Sequence, residues 1–238
     1  MNVRNRLTLL TIYGIAMGFL ESAVVIYLRG IYYIDGFKYP IKIISPEIFT
    51  TEILREVATI VMLIAISFLA GRNFKQRFAI FIYNFAIWDI FFYVWLKALI
   101  NWPVSFLTWD ILFLIPITWI GPVLAPIICS ITMIALGLMI LLFDERGYNV
   151  KIKPLSWGLI LSGAFIIFVT FIWDYSMIII RGGFLPKLAN LSENPEFMTV
   201  ISQYIPSHFN WLSFSIGELM ILIATVLIYT KTIKVLAR

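Results

Sequence analysis

The sequence predicts an all-α, polytopic membrane protein. It has six transmembrane helices, a re-entrant or interfacial segment before the fourth span, and a short amphipathic helix on the outer side. Three observations predict it. Only 13% of the 238 residues are charged, where soluble domains carry about 25%, and the mean hydropathy is +0.96. Six apolar stretches approach or exceed the length needed to cross a hydrocarbon core of about 30 Å at about 1.5 Å per residue. Basic residues gather in alternate loops, as in a chain threaded back and forth through a bilayer. Residues 1–238 read as a single integral membrane domain.

The first span covers residues 7–28. No small-x-small cleavage site follows it and Glu21 interrupts its end, so it reads as an uncleaved helix rather than a signal peptide. The second span covers 46–70. Ser45 suits the N-cap, Pro46 the first helical position and Glu47 the positive end of the dipole. Its uncharged part, residues 57–70, reaches only ~21 Å, so Glu52, Arg55 and Glu56 are drawn into the membrane. Arg72, Lys75 and Arg77 occupy the turn to the third span, 78–100, which holds Asp89 and ends at Asn101-Trp102-Pro103.

Residues 104–143 stay apolar for ~60 Å, about twice the core, and Pro116, Gly121-Pro122 and Pro126 divide them. The fourth span is placed at 122–143. Residues 109–120 then form the re-entrant or interfacial piece, since non-helical backbone at membrane depth requires cover by protein or a wet cavity. The fifth span is 155–180, with Asp174 near its far end. In the loop that follows, Asn194-Pro195-Glu196 starts a helix with Phe197, Val200, Ile201 and Tyr204 on one face. The sixth span is 211–229, ended by Lys231, Lys234 and Arg238.

Loop charge sets the orientation. Arg4, Arg6, the 72–77 turn, Arg146, Lys151, Lys153 and the C-terminal bases fall on one side, whereas Trp95, Trp102, Trp109, Trp119, Trp173 and Trp211 fall toward the other. The reading is a plasma (inner) membrane protein with both termini cytoplasmic. The net charge of +5 is a topology signal, so no nucleic-acid partner is expected, only the lipid bilayer and a lipid or small-ion ligand. The single cysteine, Cys129, excludes an intrachain disulfide. The single histidine, His208, excludes an intrachain bis-histidine haem and any site needing two or three histidines. Gly14-x-x-x-Gly18 reads as a packing motif, and Asn190-Leu191-Ser192 fits a glycosylation triplet on the outer side.

Depth along the helices picks out the candidate site. Measured from the cytoplasmic ends, Glu21 and Glu56 lie ~21 Å up their spans and Asp89 and Glu218 ~17 Å up theirs, which makes one layer of four acids. An acid at a helix centre costs ~2.5–3.5 kcal/mol on the insertion scale, so the four are not expected to be charged and alone. They can pair with Arg55, Arg29 or Lys97, hold protons, or bind a divalent metal through their oxygens. The catalytic candidates are therefore Glu21, Arg55, Glu56, Asp89 and Glu218. The substrate-binding candidates around them are Arg29, Glu52, Lys97, Trp109, Asp110, Asp174 and His208.

Three functions fit this layer. The first is an intramembrane enzyme, acid/base or metal-assisted, acting on a lipid or lipid-linked substrate whose anionic head group Arg55 or Arg29 would hold. The second is a cation- or proton-coupled transporter. The third is a structural subunit of a larger membrane complex. The enzyme reading expects a cavity open on the outer side only, roofed by the 194–204 helix and Trp109, above a packed inner half.

Overall fold

The computed structural model describes residues 3–34 and 36–234. Arg238 lies outside the described residues, as do the side chains of Lys234 and of Asn190 and Ser192 in the glycosylation triplet. The six predicted spans are six helices long and apolar enough to cross a membrane. They are α1 (Val3–Tyr32), α2 (Pro46–Ala70), α3 (Phe74–Ile100), α4 (Leu124–Glu145), α5 (Pro154–Arg181) and α7 (Trp211–Lys234). A 3-10 helix (Leu185–Glu193) and the short α6 (Pro195–Ile201) lie between α5 and α7.

Local chemistry explains the boundaries. Ser45 accepts from the Ile48 N–H at 3.4 Å and caps α2 as its sequence predicts. Helix α3 starts at Phe74, four residues before the predicted span. There the Asn73 side chain caps it, accepting from the Gln76 N–H at 3.0 Å. Helix α3 stops at Asn101, which sits in the left-handed region with φ 52° and closes the last turn onto the Leu96 and Lys97 carbonyls.

The divided apolar stretch differs most from a purely helical reading. Trp109–Phe113 and Trp119–Pro122 are strands β1 and β2 of an antiparallel hairpin, with Asp110 opposite Gly121 and Ile111 opposite Ile120. Helix α4 therefore begins at Leu124, because Gly121-Pro122 still belongs to β2. A hairpin satisfies its backbone groups along its own ladder. Further bonds secure its base, from Val123 N to Thr108 O (3.0 Å) and from Leu124 N to Phe106 O (2.8 Å). Trp119 stacks on Phe171 of α5 at 5.7 Å, which fixes the hairpin against the bundle.

Helix α3 is the hub, with α1, α2 and α4 packed on it, while α7 packs on α5 and, more lightly, on α4. Glycines bring these axes together. A Cβ at Gly18 would meet the α3 backbone at 3.0 Å, so the Gly14–Gly18 motif does serve packing. At the α5–α7 crossing, Gly163 and Gly217 face one another, and a Cβ on either would lie 2.6–2.7 Å from the other's carbonyl oxygen. Gly163→Leu is expected to push α5 and α7 apart and destabilise the protein by ~1–3 kcal/mol or more. Thermal unfolding in detergent would read this, and an unchanged midpoint would refute it.

The two ends of the bundle differ. At the end holding the start of α1, Arg6 Nη1 donates to the Ala70 carbonyl and to Gln76 Oε1, both at 3.3 Å. Gln76 Nε2 in turn donates to Asp144. Above these bonds, buried Leu10, Ile80, Tyr83, Leu136, Ile140 and Ile228 fill the interior. At the hairpin end the packing opens. Helices α1 and α2 both lean on α3 but touch each other sparsely.

Candidate functional site

A cavity of ≈ 510 Å³ occupies the hairpin end. Helix α1 lines it only from Glu21 onward, α2 only from Phe49 to Glu56, and α3 only from Trp88 to Tyr93. The loop between α1 and α2, the hairpin, Tyr175 of α5, the 3-10 helix and α6 complete the wall. Phe197, Met198 and Ile201 of α6, which ends at Ile201 and not at Tyr204, are among the lining, but Trp109 is not; it packs on Phe209 instead, with ring centroids 6.2 Å apart.

Two arginine centres organise the lining. Arg55 forms an ion pair with Glu21 of α1. It also donates from Nη2 (2.8 Å) and Nε (3.0 Å) to one oxygen of Glu52, a turn earlier on its own helix. A guanidinium can do this because its N–H groups form a rigid fork. The pair with Glu21 joins α1 to α2 at this end of their sparse contact, as the Arg6 bond to the Ala70 carbonyl does at the other.

The second centre is Arg29 on α1. Its Nη2 donates to Asp110 Oδ1 at 3.1 Å, and Tyr93 donates to Asp110 Oδ2 at 3.4 Å. The guanidinium lies against two rings, 4.5 Å from the Phe37 centroid and 3.7 Å from that of Trp102. Such contacts suit a planar, weakly hydrated cation. Asp110 is 2% exposed, and burial pushes its carboxyl up to about 6 although Arg29 pulls it down.

Two carboxyls in the chamber form no ion pair among the described residues. Glu56 accepts from the Leu114 N–H at 2.9 Å, which ties α2 to the hairpin turn. Asp89 accepts from Ser130 Oγ of α4 at 2.8 Å.

Thus Glu21, Glu52, Arg55, Glu56, Asp89, Arg29 and Asp110 share one chamber. The other candidates do not line it. Glu218 turns toward α4, where it accepts from Thr132 Oγ1 at 2.8 Å and lies beside Cys129. Lys97 donates to the Pro103 carbonyl at 3.0 Å and anchors the chain after α3. Asp174 accepts from Tyr204; burial and that carboxylate both push the Tyr204 phenol up, so it remains the donor. His208 is exposed ahead of α7. Sequence reasoning missed Trp88, Ser130 and the Leu114 amide. Trp88 sits beside Asp89 in the chain, and that adjacency was the available signal. Among the described residues no three His, Cys, Asp or Glu side chains are grouped to hold a metal ion. The chain matches no protein-family model, no curated protein and no solved structure.

Proposed function

We propose that the protein is an intramembrane enzyme acting on a lipid or lipid-linked substrate, with Glu56 and Asp89 as its proton-handling carboxyls. One observation carries the reading. The chamber ends at the level of Glu21, Glu56 and Trp88, and there it offers carboxyls outside any ion pair among walls that are largely apolar. An amphipathic molecule can enter sideways where α1 and α2 barely touch, leaving its chain against the wall and its polar end on the floor. A carboxyl in such an environment is suited to proton transfer. Arg55, braced by Glu21 and Glu52, acts as a positioning residue for the floor.

Coupled transport would need a second access path. The lining residues come from one half of α1, α2 and α3, and the interior core fills the other half, which favours the enzyme. Loop charge supports placing the chamber in the outer half of a plasma (inner) membrane, with both termini cytoplasmic.

The test compares the lipids of host cells expressing the protein or its Glu56→Gln variant, by mass spectrometry. A lipid species changed by the wild type is expected to change roughly 10²–10⁴-fold more slowly with the variant, the usual contribution of a general acid or base. If a folded Glu56→Gln protein changes the same species at the wild-type rate, Glu56 has no such role. If no species changes with either protein, the enzyme reading is wrong.

A further inference from the structure

Both arginines that line the chamber are already neutralised. Arg55 is held by Glu21 and Glu52, and Arg29 by Asp110. The other terminal nitrogen of Arg29, Nη1, has no partner among the described residues, but it is fully covered and its guanidinium lies against Phe37 and Trp102. The remaining base of the lining, Lys42, is exposed on the loop before α2, with Nζ 5.5 Å from the Tyr33 ring. Over the whole lining, Glu21, Glu52, Glu56, Asp89 and Asp110 outnumber Arg29, Lys42 and Arg55. An anionic head group would have to displace a carboxylate from an arginine and then sit near Glu56 and Asp89. Like charges repel strongly where water is scarce.

A cation meets the opposite situation. Glu56 and Asp89 receive only neutral donors, from Leu114 N and Ser130 Oγ. Trp88, Phe92 and Tyr93, which surround Asp89 on α3, line the same space. Aromatic faces attract alkylammonium groups, more strongly when both are dry. An independent sign of a ligand is Trp88 itself. It is 5% exposed, it lines the chamber, and its Nε1 has no partner among the described residues. A buried indole N–H normally finds an acceptor. An oxygen beside the ligand's charged nitrogen would supply one.

We propose that the chamber binds an amphiphile through a cationic, ammonium-type head group at the floor formed by Glu56, Asp89 and Trp88, with its alkyl chain along the apolar wall. This deepens the lipid-enzyme reading and rests on the chamber being its ligand site. It replaces the expectation of an anionic head group on Arg55 or Arg29.

Three chain-matched probes test it: decyltrimethylammonium, decyl phosphate and decanol, each below its micelle concentration. Binding to the purified protein in nanodiscs is measured by calorimetry. The ammonium is expected to bind saturably and about tenfold or more tighter than either other probe. Glu56→Gln/Asp89→Asn should weaken it by about the same factor. Glu218→Gln, outside the chamber, should leave it unchanged. Asp89→Asn alone serves if the double variant does not fold. Tighter phosphate binding, equal affinities, or ammonium binding indifferent to Asp89→Asn in folded protein would each overturn the proposal. Ammonium binding with the expected dependence but no lipid turnover would retire the enzyme reading and leave this one standing. Lipid turnover with preferred phosphate binding would do the reverse.

Discussion

Arg55→Met is expected to destabilise the protein by about 3–5 kcal/mol, the usual cost of removing one partner from a buried ion pair. The substitution keeps the length of the side chain, so lost volume contributes little. What it removes is the cation shared by Glu21 and Glu52. Two carboxylates would be left facing each other's helices in a poorly hydrated space, where like charges repel strongly. The measurement is the unfolding midpoint in a mild detergent at pH 7. Adding Glu21→Gln and Glu52→Gln should recover most of the loss, because the triple variant has no unpaired charge at this centre. Arg55→Lys should fall between, since an ammonium cannot reproduce the fork that reaches both partners. If Arg55→Met unfolds like the wild type, the α1–α2 link does not hold the fold.

Arg29→Met should also be costly, and its cost should grow with pH. The substitution removes a cation lying against Phe37 and Trp102, and that part of the loss, ~1–2 kcal/mol for desolvated contacts, does not depend on pH. The other part is the attraction to Asp110, which exists only while Asp110 is ionised. Burial has raised that carboxyl to about 6, so in the wild type the ion pair forms as pH rises through about 6. Without Arg29 the carboxyl stays protonated to higher pH. The variant's native state then holds more protons than the wild type's above that point, and linkage makes the stability gap widen with pH. Unfolding midpoints of both proteins at pH 5 and pH 8 check this. A gap that is constant or narrower at pH 8 would show that the contact between Arg29 and Asp110 is not an ion pair in the folded protein.

The sequence made the helices legible because length and apolarity alone define a span. It also made a pairing of Arg55 with an acid of another helix legible, since the second span is too short without its charges and Glu21 lies at matching depth. Depth, however, says nothing about rotation. Glu218 agrees in depth with Asp89 but points from α7 to Thr132 on α4, so it joins a different set of neighbours. Rotation is set by packing, here by the Gly163–Gly217 contact of α5 and α7, which no single segment reveals. The Arg29–Asp110 pair was hidden for another reason. Its members lie 81 residues apart, and they meet only because residues 109–122 turn back as a hairpin into the space beside α1 and α3. That stretch reads as apolar in any window, so hydropathy cannot separate a hairpin from a re-entrant coil.

The packed half beneath the chamber has a consequence for energetics across the membrane. Arg6, Gln76 and Asp144 close one end with hydrogen bonds, and the interior above them is filled by buried aliphatic and aromatic side chains. On the proposed enzyme reading, protons reach Glu56 and Asp89 from one compartment alone. In a vesicle with unequal pH inside and out, those carboxyls would equilibrate with the side that faces the hairpin and ignore the other. On that reading the chamber is a well and not a bore, and a membrane filled with this protein would hold its proton gradient.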